Sequence, residues 1–369
     1  MRGNHSKAKM PDLTLIVVIF ALLLIGVVMV YSSSAVWASY KFEDAFFYAK
    51  RQLLFSIVGL VAMYVMMNIS YVKWKDLAKP ILIGCFVLLI AVLIPGVGMV
   101  RGGARSWIGV GAFSIQPSEF MKLGMIIFMA KLLSERQKYI TSLKEGFIPA
   151  LLLVFVPFGL IILQPDLGTG VVLVGTCMVM IFVGGAKISH FVGLALIGLA
   201  GFVGLILSAP YRINRIKAFL NPWEDPLGDG FQIIQSLYAI GPGGLMGLGL
   251  GQSLQKFFYL PEPQNDFIFA ILAEELGFIG GSFVILLFFL MLWRGIRIAL
   301  HAPDLFGSLL ALGIVGMIAI QVFINISVVI GLIPVTGITL PFLSYGGSSL
   351  TITLLAIGIL LNISRYANI

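Results

Sequence analysis

The chain has 369 residues, of which 59% are hydrophobic and only 11% charged, with a formal net charge of +8. A soluble domain carries about 25% charged residues, so a soluble globular fold is excluded. The positive balance reads as charge that sets membrane topology, with some attraction to anionic lipid, and no nucleic-acid partner is implied.

Apolar runs recur along the whole length, and many reach the ~18–20 residues that cross a bilayer as a helix. They predict an all-α, polytopic membrane protein with about ten transmembrane helices. In chain order the spans are 12–31, 51–70, 79–95, 116–133, 147–164, 167–185, 189–208, 267–293, 305–333 and 347–364. The first run, Leu13 to Tyr31, is too long for a signal-peptide core and lacks a small-residue cleavage site, so it reads as a retained span. Gln164-Pro165-Asp166 is a tight turn between the fifth and sixth spans. The ninth run is over-long and must tilt, bend or take in interfacial residues.

An even count puts both termini on one side. Fourteen Lys and Arg residues, from Arg2 through Lys73, Arg136, Lys187 and Arg294 to Arg365, fall on that side. The short loops of the other side carry Lys41, Lys50, Arg51, Arg101 and Arg105. The basic side is cytoplasmic by the positive-inside bias. The chain then reads as one integral-membrane domain, with residues 209–266 as a long extracytoplasmic loop between the seventh and eighth helices.

Topology sorts the acids. Glu119 and Lys122 lie three residues apart in the first turns of the fourth span, on one face. Asp166 is at the turn between spans five and six, and Asp266 ends the long loop at the start of span eight. These four groups share one depth near the outer interface, and ionisable groups gathered there point to handling of a polar substrate. Each also has a structural reading: an ion pair for Glu119 and Lys122, a helix cap for Asp166 and for Asp266. Glu274 and Glu275 lie roughly 12–14 Å deeper and read as bonding to neighbouring helices.

Within the long loop, Tyr211 to Leu220 places Ile213, Ile216 and Leu220 on one helical stripe with Arg212 and Arg215 beside it. That pattern suits an interfacial helix facing lipid phosphates. Phe231 to Ile240 reads as a second short helix. The glycines from Gly241 to Gly251 follow no predicted strand, so they form a hinge or close-packed re-entrant segment and not a nucleotide phosphate loop. Near the C-terminus, Pro334, Gly337, Pro341 and Leu343 to Ser349 interrupt the apolar pattern; such backbone is buried in protein or lines a cavity. Cys85 and Cys177 read as buried packing residues without a disulfide, and His5, His190 and His301 have no metal-ligand spacing.

Four ordered motifs resemble the SEDS family of RodA, FtsW and SpoVE proteins. They are Gln116-Pro117-Ser118-Glu119-Phe120-Met121-Lys122; Gln164-Pro165-Asp166-Leu167-Gly168-Thr169; Pro261-Glu262-Pro263-Gln264-Asn265-Asp266-Phe267 with Glu274-Glu275-Leu276-Gly277; and Asn325 through Pro334 to Ser349. The resemblance covers the whole chain and is nearest to the sporulation members of the FtsW branch. One departure is Asn265, where many members have Thr.

The resemblance implies a peptidoglycan glycosyltransferase that polymerises lipid II on the outer face of the cytoplasmic membrane, for spore cortex or septal wall. It implies a class B penicillin-binding protein as transpeptidase partner, besides lipid II, the growing lipid-linked glycan and membrane lipids. Asp266 matches the residue on which family activity depends most, and Glu119, Lys122 and Asp166 match cavity positions. In such a reaction Asp266 is the base for an attacking sugar hydroxyl. Lys122, Arg212, Arg215 or a carboxylate-held Mg²⁺ or Mn²⁺ would offset charge on the leaving diphosphate. No nucleotide cofactor is expected. A lipid II flippase and a non-catalytic cell-wall scaffold are the rival readings.

Overall fold

The computed structural model describes residues 9–101, 104–110, 113–207, 219–228, 230–257 and 259–367. A helix stands at each of the ten apolar runs: α1 (Leu13–Phe42), α2 (Phe47–Asn68), α3 (Val72–Ala91), α4 (Pro117–Glu135), α5 (Ile148–Ile162), α6 (Leu167–Val183), α7 (Ile188–Leu207), α9 (Ile268–Leu300), α10 (Leu305–Val329) and α11 (Gly347–Ser364). The short helix expected in the long loop is α8 (Phe231–Gly243). Among the described residues six helices are long and apolar enough to cross a membrane, and the protein is a multi-pass membrane protein.

Two expectations need correction. The chain is not wholly helical: β1 (Met99–Arg101), β2 (Ala104–Val110) and β3 (Phe113–Ile115) form an antiparallel three-stranded sheet. Arg101 pairs with Ala104 across Gly102-Gly103, a two-residue glycine signal for a hairpin. The ninth run also stops early. α10 ends at Val329, and Gly331 takes a left-handed φ of 75°, a conformation open to glycine without a Cβ clash.

α10 and α11 form the interior; 67% and 78% of their apolar stretches are buried, against 22% for α2, which is largely exposed on the outside of the bundle. α10 packs on α4, α6, α9 and α11, and α11 lies along α2. A Cβ on Gly347 would stand 2.7 Å from the Phe55 ring, so the small residue sets how closely α11 approaches α2. The end away from the sheet is tied by polar contacts. Asp12 caps α1 through Leu15 N at 2.9 Å and accepts from Arg294 Nε of α9 at 2.8 Å, while Tyr71 of α3 donates to Asp304, the α10 cap, at 2.6 Å. Cys85 and Cys177 are buried free thiols, as expected.

Candidate active site

Helices α2, α4, α6, α9 and α11 all begin at the end of the bundle that carries the sheet. Between their first turns, the sheet and the extended segment 336–339 lies a cavity of about 1000 Å³. Each helix start leaves backbone N–H groups unpaired and a partial positive charge, so five of them around one cavity favour an anionic group inside it. Another cavity, of about 230 Å³, is lined mostly by apolar side chains such as Phe128, Leu132 and Leu153, and none of the sequence-predicted site residues reaches it.

The large cavity collects Glu119, Lys122, Asp166 and Asp266, which come from three separate parts of the chain. Pro117 at the first turn of α4 supplies a φ suited to a helix start and needs no N–H partner there. One turn on, Lys122 Nζ donates to Glu119 Oε1 at 2.9 Å, and the pair is almost wholly enclosed, at 3% and 6% exposure. Asp166 does cap α6: its Oδ1 accepts from Thr169 N at 3.2 Å. Its Oδ2 accepts from Gln116 Nε2 at 2.8 Å and Ser118 Oγ at 3.3 Å, which ties the α6 start to the α4 start.

Asp266 is different. Phe267, not Asp266, holds the capping position of α9, and no side chain caps it. The carboxylate is half-buried, opens on the cavity and has no hydrogen bond or ion pair among the described residues. Burial pushes it up to about 6, with the nearby Glu262 charge adding to the rise. Its backbone is held instead. Asn325 of α10 donates through Nδ2 to Asp266 O and to Ile338 O, both at 2.7 Å. Gly337 beside it has a φ of 71°, and a Cβ there would stand 3.8 Å from Asp266 Oδ2.

Asn325→Leu is therefore expected to leave two carbonyls without their donor and to cost about 2–4 kcal/mol, read as a lower melting temperature in detergent.

The C-terminal motif is both buried and cavity-lining. Gln52 Nε2 donates to Ser344 O at 3.2 Å, and Ser348 Oγ donates to Ser114 O at 3.2 Å. Tyr345 N donates to Gln264 O at 2.9 Å, so this motif carries the loop that ends at Asp266. Gly337, Thr339, Tyr345, Gly346 and Ser349 face the cavity.

Glu274 and Glu275 are structural here. Glu274 accepts from Ser253 Oγ at 2.5 Å and Leu254 N at 2.8 Å; Glu275 accepts from Ser32 Oγ at 2.6 Å and Lys256 Nζ at 3.1 Å. α9 breaks at Gly277 (φ 66°, ψ −166°). The glycine-rich segment fills the break: Leu248 N and Gly249 N donate to the carbonyls of Glu274 and Glu275, and Phe278 N and Ile279 N donate to those of Gly244 and Leu245. The segment is close-packed against α9 and is not a free hinge there.

Arg212 and Arg215, with Ile213 and Ile216 of the stripe, lie outside the described residues; Leu220, the last of the stripe, is described and exposed. Residues that sequence reasoning missed also line the cavity: Lys41, Tyr48, Arg51, Glu262, Gln321 and Thr336. Gln321 had a signal, since it stands one helical turn from Asn325 in an otherwise apolar run.

Comparison with known proteins decides the family. The model for the cell cycle proteins FtsW, RodA and SpoVE matches residues 13–369. The chain belongs to the FtsW/RodA/SpoVE family. Stage V sporulation protein E of Bacillus subtilis is 70% identical over 362 residues, covering 98% of this chain and 99% of that one. A probable peptidoglycan glycosyltransferase FtsW of Geobacter metallireducens is 45% identical, covering 98% and 96%. A chain from a peptidoglycan synthase complex, solved in work on the coordination of polymerization and crosslinking, superposes with a TM-score of 0.78 at 33% identity, covering 96% and 98%. The rod shape determining protein RodA of Thermus thermophilus superposes at 0.71 with 29% identity, covering 97% and 98%.

Proposed function

We propose that the chain is a peptidoglycan glycosyltransferase that polymerises lipid II by inverting transfer, with Asp266 as the base. One observation carries the assignment: in a cavity roomy enough for sugars, the Asp266 carboxylate has no partner among the described residues, a raised pKa and a backbone clamped in place. The acceptor 4-hydroxyl gives its proton to Asp266 as its oxygen bonds to C1 of the donor sugar. The C1–O bond to the lipid diphosphate breaks on the opposite face, which turns an α linkage into a β linkage. Lys122, Lys41 and Arg51 on the cavity wall, with the five helix starts, offset charge on the departing diphosphate.

Among the described residues no three His, Cys, Asp or Glu groups converge as a metal cage. One or two carboxylates with substrate phosphates still suit Mg²⁺ or Mn²⁺, which would add to the same charge neutralisation. A class B penicillin-binding protein is the proposed transpeptidase partner, in keeping with the likeness to the synthase-complex chain. Service in spore cortex or septal wall synthesis rests on the likeness to stage V sporulation protein E.

The ten helices then cross the cytoplasmic membrane with both termini inside and the cavity facing out. A cysteine placed near Gly228 is expected to react with an impermeant thiol reagent applied from outside, and one near Lys138 is not. The opposite labelling would move the cavity to the cytoplasm. Purified protein with labelled lipid II tests the activity itself: polymer supports the transferase, scrambling across a vesicle without polymer supports a flippase, and neither supports a scaffold.

A further inference from the structure

The smaller cavity, of about 230 Å³, lies at the end of the bundle opposite the sheet, between the last turns of α4 and the first turns of α5. The connection between these helices has an unusual form. Leu143–Phe147 makes a π-helical turn, a wide conformation that recurs at functional sites. Ser142 opens it by accepting from Glu145 N at 3.4 Å. Gly146 lets it press on the preceding turn, because a Cβ there would stand 2.1 Å from Tyr139 O. The slot beside it is lined by Phe128, Leu132, Ala150 and Leu153.

Two charged residues, Arg136 and Glu145, also line the slot. Both are exposed, and neither makes an ion pair among the described residues. The apolar lining runs inward from them. Phe128 lies eight residues before Arg136 and Leu153 eight after Glu145, each ~12 Å along a helix. The slot therefore has a mouth with one charge of each sign and an apolar depth. Leu143 and Leu152 close by are exposed, so it opens on the surface of the bundle that a bilayer covers.

These features select the occupant. The apolar depth suits an acyl chain, and the mouth suits a headgroup that carries both signs. A guanidinium donates well to phosphate oxygens, and a carboxylate accepts from an ammonium. Phosphatidylethanolamine has both groups. Phosphatidylglycerol brings the phosphate alone, which the Glu145 carboxylate repels, and the quaternary ammonium of phosphatidylcholine has no N–H to donate. Lys138 and Lys144 in the same connection attract anionic headgroups of any kind, so Glu145 is what makes this mouth selective.

We infer that the slot between α4 and α5 binds one phosphatidylethanolamine molecule, with its phosphate on Arg136, its ammonium on Glu145 and an acyl chain against Leu132 and Leu153. The site is separate from the glycosyltransferase cavity. With both termini inside, it belongs to the cytoplasmic leaflet.

The test titrates the purified full-length chain in detergent with phosphatidylethanolamine, phosphatidylglycerol and phosphatidylcholine of matched acyl chains, and native mass spectrometry counts the lipids bound. Wild type is expected to take up its first phosphatidylethanolamine at about fivefold lower concentration than either other lipid, the upper range of an exposed ion pair. Glu145→Gln is expected to remove the preference over phosphatidylglycerol, and Arg136→Gln to weaken phosphatidylethanolamine about fivefold. Both positions are exposed, so melting temperatures are expected to stay near wild type. Ala150→Leu, which fills the slot from a residue 2% exposed, is expected to weaken all three lipids. Equal uptake of the three lipids by wild type, or a phosphatidylethanolamine preference that survives both charge variants, would overturn the site. So would a preference for phosphatidylglycerol, which would mark the connection as a basic patch only.

Discussion

Asp266→Asn is expected to lower the polymerisation rate by about 10³-fold while making the protein more stable. The amide keeps the shape of the side chain and cannot accept the proton. The backbone clamp from Asn325 uses the Asp266 carbonyl and survives the change. The stability effect follows from the raised carboxyl. Its value rises from 3.8 in the open chain to about 6 in the fold, because burial opposes the charged form. Between those values the folded state holds the extra proton, so native stability falls as pH rises through that window, and the loss is complete above about pH 6. Melting curves of wild type and Asp266→Asn are expected to separate above that pH, with the variant higher, and to converge below about 3.8. The wild-type rate falls in turn as pH drops below about 6 and the base is protonated. A wild-type rate that stays level through that range would remove Asp266 as base.

Glu119 and Lys122 give the second large effect. On an exposed helix face a pair so spaced contributes only about 0.2–0.5 kcal/mol, but here both groups are enclosed. Removing one partner leaves a buried charge alone and costs about 3–5 kcal/mol. Glu119→Gln and Lys122→Met are therefore each expected to lose both stability and activity, and neither single variant separates the two roles. The double variant does. With both charges gone, the melting temperature is expected to return close to wild type, since a buried pair and its apolar replacement are of similar stability. Polymerisation is expected to stay about 10²-fold down, because the cavity has lost a cation that offsets diphosphate charge. Full activity in the stable double variant, or in the swapped pair Glu119→Lys with Lys122→Glu, would confine both residues to a structural role.

The charged part of the site was legible because charge is scarce in this chain. Once spans were counted, Glu119, Asp166 and Asp266 had to fall at one end of the bundle, and the cavity holds all three. The multi-pass helical architecture was legible for the same reason, since long apolar runs leave few alternatives to membrane-spanning helices. The neutral wall was not. Gln321 and Thr336 carry no charge, and only the packing of α10 against the 336–339 segment places them beside Asp266. The sheet was missed because β1 and β3 are three residues each, too short for an alternating pattern to register. The glycines from Gly244 to Gly249 announced close packing, but their partner, the break in α9 at Gly277, is a tertiary contact that spacing along the chain does not encode. Sequence left capping open for both aspartates, and local hydrogen bonding separates them: Asp166 caps α6, whereas Phe267 and not Asp266 holds the cap position of α9.

The most direct test is the glycan product itself. Wild type and Asp266→Asn, each purified and confirmed as folded by its melting curve, are incubated with labelled lipid II at neutral pH and the products sized on a gel. A ladder of glycan strands from wild type and none from Asp266→Asn is the expected result. Strands of equal length and rate from Asp266→Asn, or lipid II left unpolymerised by a folded wild type, would contradict the account.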